Sequence, residues 1–175
     1  MTAGTDIFTT LGLTKIRNAA GSGSQVKIKY IALGDGQGAG YAPNPAQVTL
    51  RRELLRTAIE RHYPVGINAW HVNASFPTDA TAITVREMGF IDEDGDLIAL
   101  WAGADVGNDR RTGVIEYLIK HIIAFDGIAD GIVIIDAPLD AYLDNAVLQL
   151  ATDAVVIDRQ LAQCKQLRDL TVAAQ

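Results

Sequence analysis

The stretch Arg86–Trp101, REMGFIDEDGDLIALW, places four acids, Asp92, Glu93, Asp94 and Asp96, around Gly95 and between two apolar runs. Three readings compete for it: a cation site, a catalytic acid cluster or a turn. A calcium loop of the EF-hand type needs glycine at its sixth position and glutamate at its twelfth. Counted from Asp92, glycine is fourth and the twelfth residue is Gly103. Asp94-Gly95 is instead a preferred pair for a two-residue type I′ hairpin turn. The spacing predicts an antiparallel hairpin with arms AITVREMGFI and DLIALWAG and the carboxylates at its solvated tip.

Further strands flank this hairpin. QVKIKYIAL alternates, with Val26, Ile28 and Tyr30 on one face. TAIERHYPV and NAWHVNASF lie on either side of Gly66 and read as an antiparallel pair, with Trp70, Val72, Ala74 and Phe76 sharing a face. VIEYLIKHIIAF alternates too, and GIVIIDAP is apolar enough to lie inside a sheet, ending at Pro138. Two helices are predicted in this half. TTLGLTKIRNAA has Thr9 or Thr10 as a start cap and ends at Gly21 to Gly23. AQVTLRRELLR carries Val48, Leu50 or Arg51, Leu54 and Leu55 on one stripe.

After Pro138 the period changes. Leu143, Val147, Leu150, Ala154, Ile157, Leu161 and Cys164 are spaced 4, 3, 4, 3, 4, 3, which is a heptad seam. Glycine and proline are absent beyond Pro138, so a helix of about eight turns is feasible. Its apolar stripe has to be buried, either against the chain's own sheet or against copies of itself. Leu148, Val155 and Val156 broaden the stripe and favour three or more strands.

The bulk properties narrow the function. The 175 residues carry 15 basic and 21 acidic side chains, a net charge of −6, and about half are apolar. That sign argues against nucleic acid or an anionic membrane as the main partner. No apolar run reaches membrane-spanning length, and the N-terminus does not read as a signal peptide. A single cysteine, Cys164, excludes an intrachain disulfide and a cysteine-rich zinc site. On the predicted helix it is a core residue rather than a nucleophile. GDGQGAG departs from the dinucleotide fingerprint at Ala39, lacks a Walker lysine-serine pair, and reads as a tight loop of positive φ. His62, His71 and His121 have no metal-ligand spacing and fall on polar or mixed strand faces. Glu87, in an apolar strand, is expected to pair with Arg52, Arg56 or Arg86 rather than to act as an acid. No catalytic residue, metal or cofactor is expected. The residues alone define a soluble α+β fold: an antiparallel sheet with short helices, then a long C-terminal helix. The division falls at residues 1–138 and 139–175.

The order of three segments carries a resemblance. Ala32–Gly36 (ALGDG), Leu50–Arg56 (LRRELLR) and Arg86–Ala99 are similar to the A-x-G-D-G, L-x-x-E-x-x-R and R-E-x-G blocks of the N-terminal domain of phage tail-collar fibre proteins. The motif positions are Gly34, Asp35, Gly36, Glu53, Arg56, Glu87, Gly89, Asp94 and Gly95, and the likeness spans roughly residues 5 to 150. The resemblance implies a structural virion protein, not an enzyme. It would anchor a homotrimeric fibre to the baseplate at the tip of a contractile tail, after synthesis in the host cytoplasm. The heptad segment would then start a trimeric coiled coil, and a distal fibre protein would bind beyond it. Family members continue into a shaft and receptor-binding tip. The residues up to Gln175 hold no such tip, so carbohydrate recognition is not carried over, and a shortened fibre and an adaptor both fit. A monomeric ligand-binding or enzymatic domain, and the equivalent part of a bacterial contractile injection system, are the alternatives.

Overall fold

The acidic hairpin is the centre of the fold. In the computed structural model, which describes residues 5–77, 83–103, 117–125, 127–139, 157, 159–161, 163 and 165, strands β6 (Glu87–Asp92) and β7 (Leu97–Ala102) pair antiparallel. The turn differs from the expectation. The Asp92 amide donates to Asp96 O at 3.1 Å and the Gly95 amide to Asp92 O at 3.2 Å. Gly95 takes φ 94°, while neither Glu93 nor Asp94 takes positive φ. This is a three-residue loop closed by a left-handed glycine. A type I′ turn would need positive φ at Asp94 as well, which costs a residue with a β-carbon more.

Around the hairpin the main sheet runs in the order β1-β7-β6-β2-β3, with β1 Thr5–Phe8, β2 Val26–Gly34 and β3 Glu53–Ala58. The segment from Ala46 to Arg56 is therefore not a helix. It crosses the sheet as a loop and then becomes β3, antiparallel to β2. Spacings of three and four fit either course, but pairing with β2 supplies main-chain hydrogen bonds that an isolated turn of helix cannot match. Leu50 of the intended stripe is buried, whereas Val48 and Leu54 are exposed. Leu54 is the extra residue where the β2–β3 register shifts between Leu33/Gly34, a bulge that brings Glu53 and Arg56 to one side.

Helix α1 (Thr10–Ser22) forms as its caps dictate. Thr9 Oγ1 accepts the Gly12 amide at 2.9 Å, and Gly23 ends the helix at φ 70°. The Thr9 hydroxyl also donates to Leu97 O at 2.5 Å, so the cap nails the helix to β7. The approach is close: a β-carbon on Gly12 would stand 2.3 Å from Ile98 O.

A second sheet, β4-β5-β8, comprises Arg61–Gly66, Ala69–Phe76 and Tyr117–Ala124. Its inner residues Val72, Ala74, Phe76, Ile119 and Ile123 join Ile31, Leu33 and Phe90 of the main sheet and Ile16 of α1 in one core. The opposite face of the main sheet is covered by the loop before β3, where Leu50 packs with Ala32, Ile91, Leu97 and Leu100. Strand β6 is thus buried on both faces. GIVIIDAP supplies β9 (Val133–Ile135), a short parallel partner to the first half of β2. Contrary to expectation it pairs with β2 alone among the described residues, with Val133 and Ile135 turned inward.

The chain divides into two compact units, Met1–Leu139 and Asp140–Gln175. In the second, Ile157 and Leu161 are helical and 56% and 64% exposed. The seam positions Leu143, Val147, Leu150, Ala154 and Cys164 lie outside the described residues.

Candidate functional site

Three of the nine motif positions, Gly34, Gly36 and Glu87, meet in one place. Gly34 on β2 and Glu87 on β6 are cross-strand partners. Glu87 is fully buried. Its Oε1 accepts the amides of Gly36 at 3.2 Å and Arg52 at 2.9 Å. Its Oε2 accepts the Arg51 amide at 2.9 Å and the Tyr41 hydroxyl at 2.5 Å. The carboxylate so fastens both ends of the loop from Asp35 to Arg52. The expected guanidinium partners are replaced by the main-chain amides of Arg51 and Arg52, which the carboxylate reaches across Gly34 of β2 where the loop enters β3. All four acceptor positions of the carboxylate are used, leaving none with which to take a proton from a substrate. Burial pushes the Tyr41 hydroxyl up to about 12, with Glu87 adding to the rise.

Asp35, Gly89, Glu53 and Arg56 lie around this clamp. Asp35 Oδ1 accepts the Gln37 amide at 3.1 Å, closing a short 3-10 turn, Gly36–Gly38, in which Gly36, Gln37 and Gly38 all take positive φ. The Arg52 side chain grips the Asp35 carboxylate with two nitrogens, Nε at 2.7 Å, and holds it below the ordinary carboxylate value. The Arg51 guanidinium lies 3.6 Å over the Tyr41 ring. Gly89 leaves room for the loop's apolar anchor, since a β-carbon there would stand 2.7 Å from Leu97 Cδ1 and 3.1 Å from Leu50 Cδ2. Glu53 and Arg56 face each other in a two-pronged pair at 2.7 and 2.8 Å, outside the clamp.

Asp94 and Gly95 belong to a separate cluster at the far end of β6. Lys15 of α1 reaches Asp92, Asp94 and Asp96 at 2.5, 2.8 and 2.6 Å. Asp92 is buried and also accepts the Asp94 and Asp96 amides. The tip is accordingly not only solvated: three of its carboxylates surround one ammonium group, which fills the position a cation would take. Burial pulls the Lys15 pKa down, but hydrogen bonds to the three aspartates outweigh it and leave it raised.

The histidines are placed differently from the sequence expectation. The cross-strand row His62–Val72–His121 points inward, and only His71 is on the outer face. His121 stands between Phe90 and Trp101, with ring centroids 5.4 and 6.1 Å away. Tyr41 and Lys15 had no signal in the spacing, because each meets its partners only through the fold.

The buried carboxylate is saturated by its own chain, and the ammonium is enclosed by aspartates. Residues 2–107 match the family "Phage tail-collar fibre protein, N-terminal", and the chain belongs to that family. The match is shorter than the expected span and ends before β8 and β9. Comparison with curated proteins and with solved structures gives no match. Membership makes this chain a structural tail-fibre protein and a virion component.

Proposed function

We propose that the chain anchors a fibre to the baseplate of a contractile tail as a homotrimer, its C-terminal helices sharing the heptad seam. The observation that carries this reading is the pair Ile157 and Leu161. They are helical, four residues apart on the seam, and more than half exposed in a single chain. Burying one such side chain contributes about 1–3 kcal/mol, so seven seam positions per chain favour association over leaving the stripe in water. Membership of the tail-collar family supports the baseplate as the docking partner. The clamped loop gives each copy a rigid surface for it, and a distal fibre protein would join at the C-terminal end.

Native mass spectrometry of the full chain tests the assembly, with three copies expected and one copy refuting it. Electron microscopy of particles carrying a gold-labelled chain tests the location. Label at the tail tip is expected, and label on the sheath or head would overturn the baseplate assignment.

A further inference from the structure

The surface of the clamp holds more positive charge than its own acids neutralise. The chain carries a net charge of −6, and Lys15, Lys27, Lys29, Arg52 and Arg56 each pair with acids of that chain. Arg51 and Arg86 do not. Among the described residues neither has a carboxylate within ion-pair distance, although Arg51 is exposed and Arg86 half-buried. Three guanidinium groups, those of Arg51, Arg52 and Arg86, thus stand around two carboxylates, those of Asp35 and the buried Glu87.

The two unpaired arginines belong to one patch. The Arg51 guanidinium lies over the Tyr41 ring, and the same ring packs on Gly36, where a β-carbon would stand 3.4 Å from Tyr41 Cδ1 and 3.6 Å from Arg86 Cβ. Asp35, beside Gly36, is held low first by its hydrogen bond from Arg52 and further by the charge of Arg86. The Tyr41 ring is a fixed support, since its hydroxyl donates to Glu87 and accepts Gln47 Nε2 at 3.2 Å. A guanidinium resting flat on a held ring loses less freedom when its donors are engaged. Those donors reach no described residue of the chain.

We infer that Arg51 and Arg86 form the contact by which the clamp docks, and that the occupant is an acidic segment of a protein partner in the baseplate. The flat donor pairs of a guanidinium match a carboxylate's two oxygens. A phosphate offers the same match, but nucleic acid or an anionic membrane brings an extended negative surface. A chain of net charge −6 repels such a surface beyond the patch. A few carboxylates on a folded protein meet the patch alone. The inference rests on the baseplate reading and deepens it by naming the contact residues and the chemistry of the partner.

The test mixes tail particles assembled without this chain with the purified full chain, sediments them, and measures the bound chain over a concentration series. Arg51→Gln with Arg86→Gln is expected to bind about tenfold more weakly, and the unaltered chain to bind less well as sodium chloride rises. Arg17→Gln removes one exposed charge of α1 outside the clamp and is expected to bind as the unaltered chain does. A double variant that binds unchanged, or an Arg17→Gln chain weakened as much, overturns the patch and leaves the baseplate reading standing. Binding that nuclease or detergent removes puts nucleic acid or lipid in the partner's place and overturns the acidic protein segment. An unaltered chain that binds no particle overturns both readings. Should the double variant lose its circular dichroism signal, Arg51→Lys decides, because it keeps the charge and gives up the flat donor pair. Weaker binding then supports the contact, and unchanged binding refutes it.

Discussion

Gly34 and Glu87 oppose each other so closely that a β-carbon on Gly34 would stand 2.3 Å from Glu87 Oε1. The same carbon would stand 2.4 Å from Arg52 O, a main-chain atom with no rotamer by which to move aside. Gly34→Ala is therefore expected to loosen the loop from Asp35 to Arg52 and cost about 1–3 kcal/mol or more. Urea unfolding followed by circular dichroism checks this; an unchanged midpoint refutes the close packing.

Replacing Glu87 by glutamine preserves shape but puts an amide donor where donors already converge. At least one main-chain amide or the Tyr41 hydroxyl then loses its acceptor, at about 1–3 kcal/mol for each group stranded in the core. Glu87→Gln is expected to lower the urea midpoint clearly, and hydrogen exchange at Arg51 and Arg52 is expected to accelerate more than in α1. Equal acceleration everywhere would mean that the carboxylate does not hold the loop specifically.

Tyr41 gives this clamp an alkaline limit. Its hydroxyl is raised on folding from 10.0 to about 12, so the fold prefers the protonated form. The stability this contributes is complete below about pH 10 and is lost as the pH rises toward about 12. Urea midpoints should fall over that window, and Tyr41→Phe should lower the starting midpoint while flattening the fall. A variant with the unaltered protein's alkaline slope would assign the effect to other groups.

Lys15→Met keeps the helix propensity of position 15 but removes the ammonium from three carboxylates. A loss of about 1 kcal/mol or more is expected, since Asp94 and Asp96 are exposed but Asp92 is buried and would lose its counter-ion. The gap between the two proteins should narrow as sodium chloride screens the remaining acids. Thermal melts at low and high salt check the direction; a gap that widens with salt contradicts it.

The seam is testable apart from the sheets. Leu150→Asp with Ile157→Asp should dissociate the oligomer while leaving the β-sheet circular dichroism signal and the melting of the first unit in place. Light scattering at unchanged mass would show that these positions are not where copies meet.

The sequence by itself determined the elements whose signal is local. Thr9 and Gly23 bound the first helix because capping needs only neighbouring amides, and Asp94-Gly95 marked the hairpin because left-handed backbone needs glycine. Alternation in β5 put Trp70, Val72, Ala74 and Phe76 on one face, since side chains on a strand point up and down in turn. Residues 46–56 were misread because three- and four-residue spacings do not say whether a loop and a bulged strand will find β2. Only the tertiary structure decided that Glu87 meets the amides of Arg51 and Arg52. Every residue but proline offers the same amide, so no side-chain pattern announces which of them a buried carboxylate will bind.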